Sequence, residues 1–101
     1  MNDLGREDLL ADLRALKPAL EREGVTAMAL FGSRARRDNR PGSDIDLIIE
    51  VDEARKFSLL DLVGVAHTIE DHFGLPANIF MRRSLDPEFI CAAREEEISV
   101  F

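Results

Sequence analysis

A single cysteine, Cys91, occurs in 101 residues, which excludes an intramolecular disulfide and a zinc site built from cysteines. No apolar run approaches the roughly 20 residues that a membrane-spanning helix needs. Asp3, Arg6, Glu7 and Asp8 interrupt the start of the chain, so it does not read as a signal peptide. Basic residues are in short supply, 13 against 20 acidic ones, for a net charge of −7. Phosphate backbones attract positive surfaces, so no direct nucleic-acid binding is expected. Repeats, linkers and low-complexity stretches are also missing. The expectation is one soluble, cytoplasmic domain over residues 1–101, without membrane contact.

Hydrophobic residues make up 46% of the chain, ordinary for a globular protein and too many for a disordered one. A chain this short buries a modest share of its surface, so assembly with itself or another chain is expected to cover the rest. Against the acidic balance, Arg34, Arg36, Arg37 and Arg40 fall within seven positions. Phe89, Ile90, Ala92 and Ala93 surround Cys91 and predict a buried, inert thiol on a helix.

Leu9, Leu13, Leu16 and Leu20 recur at helical spacing, so residues 3–23 read as a helix. Asp3 is the expected N-cap, and Pro18 is expected to kink or restart the helix after Leu16. Val25 to Phe31, bounded by Gly24 and Gly32, predicts a buried strand. A helical turn at Arg34 to Arg37 and a loop from Asp38 to Ser43 follow. From Asp44 to Val51 the pattern alternates: Ile45, Leu47, Ile49 and Val51 on one face, Asp44, Asp46, Ile48 and Glu50 on the other. Ser58 to Phe73 predicts a helix whose buried stripe is Leu59, Leu62, Val63, Ala66, Ile69 and Phe73. Ser58 with Asp61 makes a capping box at its start, and Gly74 makes its stop. Ala77 to Met81 predicts a third strand. Asp86-Pro87 opens a last helix to about Glu95, and Ile98 to Phe101 is a short closing strand.

Two features carry chemistry. Asp44 and Asp46, at i and i+2 of a strand, project from one face with Cα atoms roughly 6.6 Å apart. Carboxylates so placed repel each other unless a hard divalent cation, or a pair of them, lies between. Gly32 allows a tight turn after the first strand, and Ser33 opens a helical turn that can offer a hydroxyl and N–H groups to a phosphate. Arg34, Arg36 and Arg37 add positive charge there. Each feature alone is commonplace; with ten residues between them, at the end of one strand and the start of the next, they suit a triphosphate held at both ends.

Phe31-Gly32-Ser33-Arg34-Ala35-Arg36, followed by Ser43-Asp44-Ile45-Asp46-Leu47, resembles the Gly-Ser-x10-Asp-x-Asp signature of the DNA polymerase β-like nucleotidyltransferases. The short length and flanking pattern most resemble the minimal nucleotidyltransferase (MNT) branch. The resemblance implies an α/β nucleotidyltransferase fold, a small mixed sheet of three to four strands flanked by about four helices. It further implies magnesium and ATP, with transfer of AMP to an acceptor hydroxyl. Asp44 and Asp46 would hold Mg²⁺; Ser33, backed by Gly32, would grip the β- and γ-phosphates, supported by Ser43, Arg34, Arg36 and Arg37. Many such standalone domains are antitoxins for HEPN-domain ribonucleases, and some transfer AMP to a tyrosine of that toxin. An acidic chain suits a basic, RNA-cutting partner.

One position departs from the family pattern. Ala77-Asn78-Ile79 stands where the family often has a third carboxylate, and an asparagine is neither base nor anionic ligand. Losing a general base typically costs about 10²–10⁴ in rate. Two readings stay open: an active protein adenylyltransferase, which the intact halves favour, or a nucleotide-binding module that neutralises its partner by contact. Transfer to an antibiotic or to RNA fits less well, because the chain has no room for a substrate domain. His67, His72 and the run Glu95-Glu96-Glu97 read as packing, capping and solvated positions.

Overall fold

Every apolar run expected to form a strand does so, and each is placed by its hydrogen-bonded neighbours. The computed structural model describes residues 5–101. Its elements are α1 (Arg6–Ala15), α2 (Lys17–Arg22), β1 (Val25–Phe31), α3 (Ser33–Arg36), β2 (Ile45–Val51), α4 (Leu59–Phe73), β3 (Ala77–Met81), α5 (Pro87–Arg94) and β4 (Ile98–Ser99). A 3-10 turn at Arg82–Ser84, not anticipated from the sequence, leads from β3 towards α5. The first helical stretch breaks at Leu16, and Pro18 lies in the first turn of α2. The expected cap Asp3 lies outside the described residues.

The four strands form one mixed sheet in the order β3-β2-β1-β4. β1 runs antiparallel to β2 and to β4, whereas β2 and β3 are parallel and α4 makes the crossover between them. The alternation along β2 sorts as expected: Ile45, Leu47, Ile49 and Val51 join Leu9, Leu13, Leu20, Val65 and Ile69 in the main core. On the opposite face, Ile48 packs with Phe31, Ala93 and Leu85. Arg14 ties α1 to the closing strand, its guanidinium donating to the carbonyls of Val100 and Ser99 at 2.8 and 3.0 Å.

The stripe of α4 is a correction. Val65 and Ile69 are its buried residues, with Leu62 and Phe73 packed beside them, while Leu59 is 75% exposed and Val63 also faces outward. The helix is apolar on more than one side near its start, so periodicity alone could not choose the inward face. Cys91 is a second correction. It is exposed on α5, because Ala93 and not Cys91 is the residue that α5 buries. His67 and His72 are exposed, with His72 edge-on to Phe73. Glu96 and Glu97 are more than a solvated helix end: they pair with Arg36 and Arg82.

The capping box at Ser58 is present in both directions. Asp61 N–H donates to Ser58 Oγ, and Ser58 N–H donates to Asp61 Oδ2 at 2.8 Å. The Ser58 backbone bond, then the Ser58 hydroxyl, hold the Asp61 carboxyl below its ordinary pKa. A depressed carboxyl stabilises the fold above its unfolded pKa and loses that contribution as the pH falls through the folded value. Ser58→Ala is therefore expected to melt below wild type at neutral pH. That gap should shrink below about pH 4, where both proteins lose the ionised cap. Thermal melts across pH test this, and a pH-independent gap would contradict it.

Candidate active site

Strand register brings the two halves of the sequence signature to one end of the sheet. Phe31, the last residue of β1, pairs with Asp46 in β2, so the chain turns at Gly32 directly beside the Asp46 side chain. Gly32 has φ +76° and ψ −158°, a conformation open essentially only to glycine. A Cβ on Gly32 would collide with the Asp46 carboxylate. The glycine thus serves both the turn and the close approach.

Ser33 then opens α3, half-buried, and among the described residues its hydroxyl has no hydrogen-bond partner. The Ala35 and Arg36 N–H groups donate back to the Gly32 carbonyl. The earliest N–H groups of a helix have no partner within it and remain directed outward from its start.

Across the sheet, β3 lies parallel to β2 with Asn78 opposite Asp46 and Ala77 opposite Ile45. Its start is fixed by two contacts: Ile45 N–H donates to the Pro76 carbonyl at 2.8 Å, and Ala77 N–H donates to Glu70 Oε2 at 3.0 Å. The Asn78 amide reaches both aspartates. Its Nδ2 donates to Asp44 Oδ2 at 3.0 Å and to Asp46 Oδ1 at 2.8 Å. Asp44 sits just before β2 and is exposed, and Asp46 is half-buried. One amide bridging both acids shows that the two carboxylates converge as the i, i+2 spacing requires.

This donor set suits a hard cation. Magnesium retains several waters and takes one or two carboxylates, with substrate phosphates supplying further oxygens. Two aspartates, with the Asn78 amide beside them, meet that need, although no group of three or more His, Cys, Asp or Glu gathers among the described residues. The lack of a side chain at 32 lets the serine turn lie directly against Asp46.

The arginines divide differently from the sequence expectation. Arg34 is only 2% exposed, and its Nε donates to the Ser43 carbonyl at 3.0 Å. It braces the loop that delivers Asp44 to the sheet. Arg36 pairs with Asp38 and with Glu96, and those hydrogen bonds, Asp38 first, raise its pKa. Arg37, left-handed at φ +65°, pairs with Glu7 at 3.0 Å. Arg40 shapes the loop, its N–H donating to Ser43 Oγ at 2.8 Å. Two arginines of the cluster, Arg36 and Arg37, are thus already paired with acids, Glu96 and Glu7 from far along the chain and Asp38 from close by. The positioning roles of Glu70 and Arg34 left no signal in the sequence, because both depend on contacts made only after folding.

Residues 13–100 match the family model described as the nucleotidyltransferase domain. A Methanocaldococcus jannaschii protein, named provisionally as a protein adenylyltransferase, is 35% identical over 73% of this chain and 77% of its own. The protein adenylyltransferase MntA of Thermococcus cleftensis is 32% identical over 78% of this chain and 79% of its own. A solved structure, described provisionally as a minimal nucleotidyltransferase, superposes with a TM-score of 0.80 at 30% identity, covering 97% of this chain and 98% of that one. The Shewanella oneidensis complex of a tri-AMPylated HEPN toxin with its MNT antitoxin shares the fold. It superposes at a TM-score of 0.66 and 14% identity, over 95% of this chain and 71% of that one.

Proposed function

This chain belongs to the nucleotidyltransferase domain family, and on that footing we propose that it transfers AMP from magnesium–ATP to a hydroxyl of a partner protein, as antitoxin to a HEPN ribonuclease. The observation that carries the reading is the convergence of Gly32, Asp44, Asp46 and Asn78 at one end of the sheet. Residues 1–101 act in it as one catalytic domain in the cytoplasm. No helix among the described residues is long and apolar enough to cross a membrane.

In this reading Asp44 and Asp46 hold Mg²⁺, which when bound offsets phosphate charge and helps align the triphosphate. Gly32 lets the backbone approach the β- and γ-phosphates, and Ser33 offers its hydroxyl and the N–H groups of its turn. Arg36 and Arg37 reach phosphate oxygens only by exchanging Asp38, Glu96 or Glu7 for them, an exchange that favours the more highly charged ligand. Arg34 and Ser43 hold the loop in place. The acceptor oxygen bonds to the α-phosphorus as pyrophosphate leaves. With an amide at 78, the acceptor's proton passes to a carboxylate oxygen of Asp44 or Asp46, or to water.

A protein acceptor is supported by the surface around the site. Leu59 and Leu60 are 75% and 82% exposed at the start of α4. A shallow groove of about 270 Å³ is lined by Leu62, Val63, Ala66, Ile79 and Phe80 together with Asn78. Apolar surface of this kind commonly marks a protein contact. The relatives named above as protein adenylyltransferases, and the toxin–antitoxin complex of the same fold, point the same way.

Incubating the chain with a HEPN partner and ATP labelled in the α-phosphate should label the partner. Asp44→Ala should reduce that label to background. Equal absence of label with wild type and Asp44→Ala would end the enzymatic reading. The neutral Asn78 supports the second reading, inhibition by binding alone. Under it the wild type leaves the partner unlabelled yet blocks RNA cleavage, and Asn78→Asp gains labelling.

A further inference from the structure

The neutral amide of Asn78 stands between two acids that have no described partner of positive charge in the site. Its Nδ2 lies 3.0 Å from Asp44 Oδ2 and 2.8 Å from Asp46 Oδ1, one hydrogen for each carboxylate. A divalent ion bridging those carboxylates needs the same space. Without a cation, the amide must turn its nitrogen inward, because its oxygen would face two anionic oxygens. With a cation present the preference reverses, since only the carbonyl oxygen can ligate.

We propose that Asn78 is a positioning residue that stands in for the cation: it holds Asp44 and Asp46 together in the metal-free protein and turns over when a divalent ion enters. The inference rests on the metal–nucleotide reading above and adds an order of assembly. A free cation must displace two charge-assisted hydrogen bonds and gains a neutral ligand where a third carboxylate would supply charge. A metal already carrying a triphosphate brings its own anionic oxygens. Metal and nucleotide therefore bind this chain together, and free metal binds weakly.

Three consequences separate this role from simple packing. In ¹⁵N-labelled wild type without metal, the Asn78 side-chain NH₂ pair should resonate away from free asparagine amides. It should move towards them as Mg²⁺ with a non-hydrolysable ATP analogue is added, in step with the backbone amides of Asp44 and Asp46. Asn78→Asp should bind free Mg²⁺ at least roughly tenfold more tightly than wild type, a gap that narrows when the analogue is present. In EDTA both Asn78→Asp and Asn78→Ala should melt below wild type, and Mg²⁺ should restore Asn78→Asp more than wild type.

An Asn78 NH₂ pair that stays fixed while the Asp44 and Asp46 amides move would overturn the proposal and leave the metal site standing. So would an Asn78→Asp protein with wild-type metal affinity. If neither Mg²⁺ nor the Mg²⁺–analogue complex moves the Asp44 and Asp46 amides in either protein, the metal–nucleotide reading fails and the proposal fails with it.

Discussion

Asp46→Ala is expected to lower AMP transfer at least about a thousandfold while leaving the protein folded. A factor of a thousand corresponds to about 4 kcal/mol of transition-state stabilisation, within what a metal-held phosphoryl site supplies. Asp46 faces Phe31 across one ladder and Asn78 across the other, so it links the serine turn to the third strand. Among the described residues no other acid shares that place. Glu50 is on the same strand face, but roughly 13 Å further along by strand rise, and it lies 3.5 Å from Arg82. Stability should largely survive, because loss of the Asn78 hydrogen bond is offset by removal of one of two mutually repelling carboxylates and no apolar cavity opens. Thermal melting and α-labelled ATP assays on the same preparation test both halves. Substantial transfer by folded Asp46→Ala would remove this carboxylate from the chemistry.

Gly32→Ala should damage stability and activity together. Its φ of +76° with ψ near −158° is outside the ordinary range for alanine, a cost of about 1–3 kcal/mol. The added methyl also meets the Asp46 carboxylate, which must turn away or push the strand end. For a domain of this size, a loss of about 2 kcal/mol lowers the melting temperature by roughly 10 °C. Transfer should fall at least about a hundredfold, because misplacing reacting groups by about 1 Å has that order of effect. The double variant Gly32→Ala/Asp46→Ala should recover part of the lost stability, since the carboxylate collision is gone while the backbone strain and a tight 3.3 Å approach to the Cβ at 46 remain. It should recover no activity. A Gly32→Ala protein with wild-type melting and transfer would show that the turn is not held as tightly as these dihedrals imply.

Much of the fold could be read locally. The glycine-bounded run at 25–31, the alternation through 45–51, the cap at Ser58 and the Asp86-Pro87 helix start each depend on neighbours within a few residues, and each appears where the pattern put it. Asp44, expected within the second strand, lies one residue before it, yet the Asn78 amide still reaches both Asp44 and Asp46. Where one element offered two apolar faces, as at the start of α4, local pattern mixed them: Leu62, Ile69 and Phe73 meet the core, Leu59 and Val63 face outward, and buried Val65 was missed. Cys91 failed for a related reason. Its apolar neighbours sit on an eight-residue helix that buries chiefly Ala93.

By itself the sequence determined which segments become helices and strands, and that two acids and a glycine–serine turn are held by consecutive strands. Periods of 2 and 3.6 and the backbone limits on glycine and proline act over short range, so they can be read residue by residue. Only the tertiary structure decided that Asn78 spans both acids, that Arg34 is buried as a brace, and that Arg36 and Arg37 are taken up by Glu96 and Glu7. Those partners lie 9 to 60 residues apart in the chain. Charge and hydrogen bonding act through space, and which groups come within 3 Å is set by sheet order and register, which no local pattern encodes.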